Sequence, residues 1–105
     1  MFSDVLLTVD FDRTLTAPDS TIPARNIEAI RYFIDNGGAF TVNTGRSVPM
    51  AEKNIIGVVP VNVPLLLYNG SAAYDVEKDQ LLLCHPIALN PRTVCTDVQK
   101  KFPQL

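Results

Sequence analysis

The sequence predicts an α/β domain built on a parallel sheet, and three observations carry that prediction. Three apolar runs, Val5–Val9, Ala39–Val42 and Pro64–Tyr68, do not alternate cleanly with polar residues, which is the pattern of strands covered on both faces. Stretches of helical spacing separate the runs, giving strand, helix, strand, helix, strand, or two βαβ units with right-handed crossovers. Each run also ends in polar or glycine residues, and in open parallel sheets ligands bind beyond the carboxyl ends of the strands. A chain of 105 residues suits one such domain, since at this size folding buries somewhat under about 70% of the extended surface.

The elements follow in order. After the first run, "TIPARNIEAIRYFIDNGG" places Ile27, Ile30 and Ile34 at helical spacing, with Ala29 and Phe33 alongside. Pro23 suits a first turn and Gly37 with Gly38 a stop, so a helix is expected over residues 23–36. A shorter helix is expected from Ser47 to Ile55, with Pro49 tolerated in its first turn. Beyond the third run, "SAAYDVEKDQLLLCHP" reads as two short strands around a turn at Glu77–Asp79. The tail "LNPRTVCTDVQKKF" reads as a helix capped by Asn90, with Val94, Val98 and Phe102 on one stripe. There is no internal repeat and no low-complexity segment.

Composition narrows the function classes. Apolar residues make up 47% and charged residues 19%, which is globular and not disordered. The net charge is −2 and only Lys100 and Lys101 are adjacent bases, so no electrostatic footprint for nucleic acid or anionic lipid appears. A small molecule is the expected partner. No run approaches the roughly 20 apolar residues of a membrane span, and Asp4 interrupts any leader-like start, so a cytoplasmic protein is expected. Cys84 and Cys95 read as reduced thiols without a role, and His85 stays outside the site.

Three strand ends converge on one sheet edge. The first gives Asp10, Asp12 and Thr14, the second Asn43, Thr44, Gly45 and Arg46, and the third Asn69 and Gly70. In a strand, residues i and i+2 share a side about 6 to 7 Å apart, so Asp10 and Asp12 would repel each other unless something positive sits between them. Each element alone has an ordinary structural reading. A strand-ending aspartate forms turns, Thr44-Gly45 reads equally as a strand end before a helix, Asn69-Gly70 is foremost a turn signal, and Arg46 is a solvated charge. Their coincidence carries the site. Mg²⁺ takes oxygen ligands, commonly one or two carboxylates with waters and a substrate phosphate, and Asp10 with Asp12 could flank it. A carboxylate can attack phosphorus to form an aspartyl-phosphate, a second can protonate the leaving alcohol and later deprotonate water, and the Thr44 hydroxyl with first-loop backbone N–H groups can bind phosphoryl oxygens.

"DFDRTLT" resembles the DxDxT first motif of the haloacid dehalogenase superfamily, and "TVNTGRS" resembles its second. The motif spacing, the intervening helix, the TGR triplet and "LLLYNGSAAYD" together resemble the Cof-like sugar-phosphatase branch. The resemblance implies a three-layer Rossmann-like core, of which residues 1–83 are the N-terminal part, followed by a β-hairpin and, in 84–105, the beginning of an αβ cap. It implies a Mg²⁺-dependent phosphatase acting on a small phosphorylated metabolite such as a sugar phosphate. Asp10 would be the nucleophile and a metal ligand, and Asp12 the general acid/base with its backbone carbonyl on the metal. Thr44 and the first-loop backbone at Phe11 would bind the phosphoryl group, while Gly45, Arg46, Asn69 and Gly70 would shape the site or approach the substrate.

Arg13 departs from the family, where many members carry glycine. The family's third-motif lysine and fourth-motif acids are expected beyond Leu105, and Asp75, Asp79 and Asp97 do not stand in a matching context. The family topology would leave the Asp10 strand with an unpaired edge, to be covered by a further part of the chain, a second polypeptide or another protomer. Little or no turnover is therefore expected from these residues alone. A phosphomannomutase-like phosphotransferase is the nearest alternative, differing in whether water or a sugar hydroxyl accepts the phosphoryl group. From another class comes a non-catalytic phosphate-binding or receiver-like module. Receivers place the phospho-acceptor after the third strand, where this sequence has Asn69-Gly70.

Overall fold

A computed structural model describes residues 1–105. Its elements are β1 (Leu6–Val9), α1 (Ala24–Asp35), β2 (Ala39–Val42), α2 (Val48–Asn54), β3 (Leu65–Leu67), β4 (Ala72–Asp75), β5 (Gln80–Cys84) and α3 (Pro91–Lys101). β1 and β2 run parallel, from Leu6 opposite Ala39 to Val9 opposite Val42. β3, β4 and β5 form an antiparallel meander. One parallel bridge, Asn43 to Leu66, joins β2 to β3, so the strands lie in the spatial order β1-β2-β3-β4-β5.

Both crossovers step the same way across the sheet, and right-handed connections then put α1 and α2 on one face. The core agrees. Ile30 of α1 and Ala51 and Ile55 at α2 belong to one buried cluster with Phe40, Val42, Leu65, Leu67 and Tyr74 from the sheet. These strand residues alternate along β2, β3 and β4, the period of two that a covered face requires. On the opposite face of β2, the buried Thr41 hydroxyl donates to the Pro64 carbonyl at 2.7 Å, so its burial leaves no polar group unmet.

Local chemistry accounts for the element ends. α1 begins one residue after Pro23 and not at it. It ends in a Schellman turn at Gly37 (φ +93°), where the Gly38 N–H donates to the Phe33 carbonyl and the Gly37 N–H to the Ile34 carbonyl, both at 3.0 Å; a Cβ at Gly38 would lie 2.3 Å from the Phe33 ring. Ser47 caps α2 by accepting from the Met50 N–H at 3.4 Å. Asn90 caps α3 by accepting from the Arg92 N–H at 3.0 Å. The side chain of Asn62 accepts from the Phe40 N–H at 2.8 Å and donates to the Gly38 carbonyl at 2.9 Å, tying the loop after α2 to the start of β2.

One expectation needs correction. Coverage on both faces holds for β2 but fails for β1, where Leu6 and Leu7 are 61% and 43% exposed. β1 pairs only with β2, and nothing covers its outer edge. The α3 stripe of Val94, Val98 and Phe102 exists, but no residue of that helix is buried. Residues 77–105 are all exposed, so the hairpin tip and α3 project from the core. The radius of gyration is accordingly 17.0 Å, against about 13 Å for a compact domain of this length. No helix is long and apolar enough to cross a membrane.

Stability should concentrate under α1 and α2. Ile55 is fully buried there, so Ile55→Val should cost about 1 kcal/mol through one lost methylene and its cavity. Chemical denaturation checks this as a lower midpoint with an unchanged slope.

Candidate functional site

The first loop is built on anchors that alternate with exposed groups. β1 ends at Val9, Asp10 is extended, and a wide turn spans Phe11–Leu15. The Leu15 N–H donates to the Asp10 carbonyl at 3.2 Å and the Thr16 N–H to the Phe11 carbonyl at 3.0 Å. The Thr16 hydroxyl accepts from the Arg13 N–H at 2.9 Å. Phe11 and Leu15 enter the core, leaving Asp12, Arg13 and Thr14 outward. Arg13 sits at φ +62°, a left-handed conformation that costs a side chain roughly 1 to 2 kcal/mol. That is a physical reason for glycine to serve well at this position.

The second and third loops are stitched to each other. Asn43 N–H donates to the Val9 carbonyl at 2.8 Å, Thr44 N–H to Leu66 at 2.9 Å, Asn69 N–H to Thr44 at 3.1 Å and Tyr68 N–H to Arg46 at 3.1 Å. Tyr68, Asn69 and Gly70 all have positive φ, at 52°, 56° and 87°. This tight reversal returns the Asn69 side chain onto Gly45, where a Cβ would lie 2.8 Å from Asn69 Oδ1. Asn69 therefore serves the turn and lines the site at once, whereas Gly70 serves the turn.

Asp10, Asn43, Thr44, Gly45 and Asn69, with Thr8 and Val9, line a cleft of about 300 Å³, the lower end of ligand-site volumes. The Thr14 hydroxyl donates to Asp10 Oδ2 at 3.3 Å, and no cationic side chain pairs with that carboxylate. Thr44 is buried, and its Oγ1 accepts from the Arg46 N–H at 3.2 Å, leaving the hydroxyl proton free to donate. Asn43 was legible only as a polar strand end, and its adjacency to Thr44 was the signal that places it here.

Asp12 does not share this cleft. Asp10 and Asp12 lie beyond the end of β1, so strand alternation does not set their directions. Asp12 instead lines a neighbouring cleft with Phe11 and Arg46. Arg46 grips it with two bonds, Nε to Oδ2 at 3.0 Å and Nη2 to Oδ1 at 2.7 Å, and its guanidinium lies 4.9 Å from the Phe11 ring centroid. Arg46 is thus the partner of Asp12 and not a solvated charge, and it makes no bond to Asp10. The Arg46 hydrogen bonds hold the Asp12 carboxyl below the usual carboxylate range, and the same bonds raise the Arg46 pKa.

For Mg²⁺ the donor set fits in part. The exposed Asp10 carboxylate is a hard oxygen donor of the kind Mg²⁺ takes singly beside water and phosphate. Asp12's side chain is engaged by Arg46, whereas that of Asp10 is not. No group of three or more His, Cys, Asp or Glu side chains gathers anywhere.

Two measurements follow from this geometry. A ¹³C titration of carboxyl resonances should place the Asp12 midpoint below 3.8, and Arg46→Met should return it towards that value. The pair's contribution should be present above the unfolded pKa and disappear as pH falls through the lowered folded one. With Asp12 55% exposed, it should not exceed about 1 kcal/mol. Gly45→Ala should push Asn69 out of the cleft, read as chemical-shift changes at residues 43–45 and 69, and the added Asn69→Ala change should relieve them.

The comparisons with known proteins agree with this architecture. The family of haloacid dehalogenase-like hydrolases matches residues 7–103. Among solved structures, the phosphatase BT1666 from Bacteroides thetaiotaomicron has a TM-score of 0.78 at 19% identity, over 94% of this chain and 36% of that one. A putative haloacid dehalogenase/Cof-like hydrolase from Plasmodium vivax has a TM-score of 0.69 at 29% identity, over 94% and 37%. The subclass IIB sugar phosphatase BT4131 has 0.68 at 19% identity, over 92% and 37%. This chain thus spans a little over a third of the length of these structures. No curated protein sequence is similar enough to count as a match. With the three strand-end loops and a match over nearly its whole length, the chain belongs to the haloacid dehalogenase-like hydrolase family.

Proposed function

We propose that these residues form the nucleophile-bearing part of a Mg²⁺-dependent phosphatase that works through an aspartyl-phosphate on Asp10, on a sugar phosphate or similar small metabolite. The observation that carries the reading is the Asp10 carboxylate itself, exposed, unpaired by any cation and opening into a cleft with Thr44, Gly45 and Asn69. The likeness to a sugar phosphatase, BT4131, supports the substrate class.

In this mechanism an Asp10 oxygen attacks phosphorus, and the bond from phosphorus to the alcohol oxygen breaks with its electron pair leaving on that oxygen. The Thr44 hydroxyl donates to a phosphoryl oxygen where negative charge develops. Asp12 supplies the proton to the departing oxygen. It later takes a proton from the water that attacks the aspartyl-phosphate, and rupture of the P–O bond to Asp10 restores the carboxylate. A Mg²⁺ ion, held by the Asp10 carboxylate and the Asp12 main-chain carbonyl, would offset the charge shared by Asp10 and the phosphate. While gripped by Arg46, Asp12 is held ionised, the form suited to the water step. Its role as acid requires release from Arg46.

The test is p-nitrophenyl phosphate hydrolysis with and without Mg²⁺, comparing the unchanged chain with Asp10→Asn. Turnover by these 105 residues should be small, dependent on Mg²⁺ and lost in Asp10→Asn. Turnover that survives this substitution or chelation would remove the aspartyl-phosphate reading.

A further inference from the structure

A second cleft is lined by Phe11, Asp12 and Arg46, which continue the chain from Asp10 and Gly45 of the first. It has a volume of about 410 Å³. Its apolar wall is Phe11, Ile22, Ile27 and Val58, and its polar groups include Arg46, Lys53 and Asn54. An apolar body with a few converging polar groups is the usual make-up of a small-molecule site.

The charges in it do not cancel. Asp12 is the one acidic side chain lining this cleft, and Arg46 already engages it. Lys53 is left with no ion pair and no hydrogen bond, since the Asp12–Arg46 pair is the one salt bridge in the chain. Arg46 lies two residues before α2 and Lys53 in its last turn, and both line this cleft. Asn54 uses its amide N–H to bond the Met50 carbonyl at 3.2 Å, which leaves its side-chain oxygen for a ligand hydroxyl. An exposed, unpaired ammonium lining a largely apolar cleft, with the other charges there already paired, favours an anion carried on a small organic body.

We propose that this second cleft receives the far end of the substrate, and that Lys53 selects phosphorylated compounds bearing a second anionic group, such as a sugar-acid phosphate or a sugar bisphosphate. The inference rests on the reading of Asp10, Thr44 and Gly45 as the site of the transferring phosphoryl group. Lys53 is a specificity determinant and takes no part in bond making. Lys53 is exposed and falls outside the buried core, so Lys53→Gln removes the charge with little effect on folding.

The experiment is a ¹H–¹⁵N titration of the unchanged chain and of Lys53→Gln, in Mg²⁺ buffer at constant ionic strength. The probes are inorganic phosphate, glucose 6-phosphate, 6-phosphogluconate and glucose 1,6-bisphosphate. In the unchanged chain at least one of the two probes that carry a second anionic group, 6-phosphogluconate or glucose 1,6-bisphosphate, should bind about tenfold tighter than glucose 6-phosphate, the scale of one charge-assisted contact. Its extra shifts should fall at Lys53 and Asn54, and comparing the two probes tells a carboxylate preference from a phosphate one. In Lys53→Gln that preference should vanish while inorganic phosphate binds within twofold of its former affinity. Equal affinities in the unchanged chain, or a preference that survives the substitution, overturn the proposal. Inorganic phosphate that leaves the amides of Asp10, Thr44 and Gly45 unshifted overturns the parent reading, and this inference falls with it.

Discussion

One narrow junction holds the architecture together. The parallel pair β1-β2 and the antiparallel meander β3-β4-β5 meet through the bridge between Asn43 and Leu66, with the Thr44 N–H on the Leu66 carbonyl. Backbone bonds this few hold only because Phe40, Val42, Leu65 and Leu67 pack as a continuous floor beneath them, and burial of that floor supplies the main favourable term. The junction lies at the carboxyl ends of β2 and β3, so the residues that close the sheet also carry Thr44, Gly45 and Asn69. Fold and site are fastened by the same bonds.

The electrostatics separate two carboxylates that the sequence sets one residue apart. Asp12 is taken up by Arg46, whose flat guanidinium matches a carboxylate in a two-bond fork and lies near the Phe11 ring. Lysine would supply the charge but not the fork or the stacking. Asp10 keeps only a hydroxyl partner, Thr14. Two aspartates close in sequence are thereby given different surroundings, and different surroundings are what let two carboxylates take different chemical roles.

Most of the secondary structure was legible because it follows from short-range chemistry. β2 falls at Ala39–Val42 as its apolar run indicated, and the β4-β5 hairpin forms around the expected turn. Ser47 and Asn90 cap the helices that follow them. What could not be read off depends on side-chain direction in loops and on contacts between distant residues. The strand period stops applying at Val9, one residue before Asp10, so the i, i+2 argument did not reach Asp12. Arg46 looked solvated because its partner lies 34 residues away. The turn reading of Asn69-Gly70 holds, and the left-handed reversal also aims the Asn69 side chain at Gly45, so a turn residue lines the cleft. Apolarity gave the composition of β1 and α3 but not what covers them, because covering is a property of neighbours.

The uncovered side of the sheet and the open state of the site have one cause. β1 has a strand on one side only, so Leu6 and Leu7 face water, and Asp10 at its end faces water with them. A carboxylate in bulk solvent interacts with nearby charges at a dielectric near 80, where a pair at 4 Å is worth about 1 kcal/mol; in a half-buried setting the same pair is worth several times more. The groups seen here accordingly fix position, through backbone bonds and the close approach at Gly45, more than they supply electrostatic force. Positioning and desolvation are separable contributions to catalysis. In the phosphatase reading proposed for this chain, β1, β2 and β3 would supply the first, and the second would depend on what excludes water from the outer edge of β1.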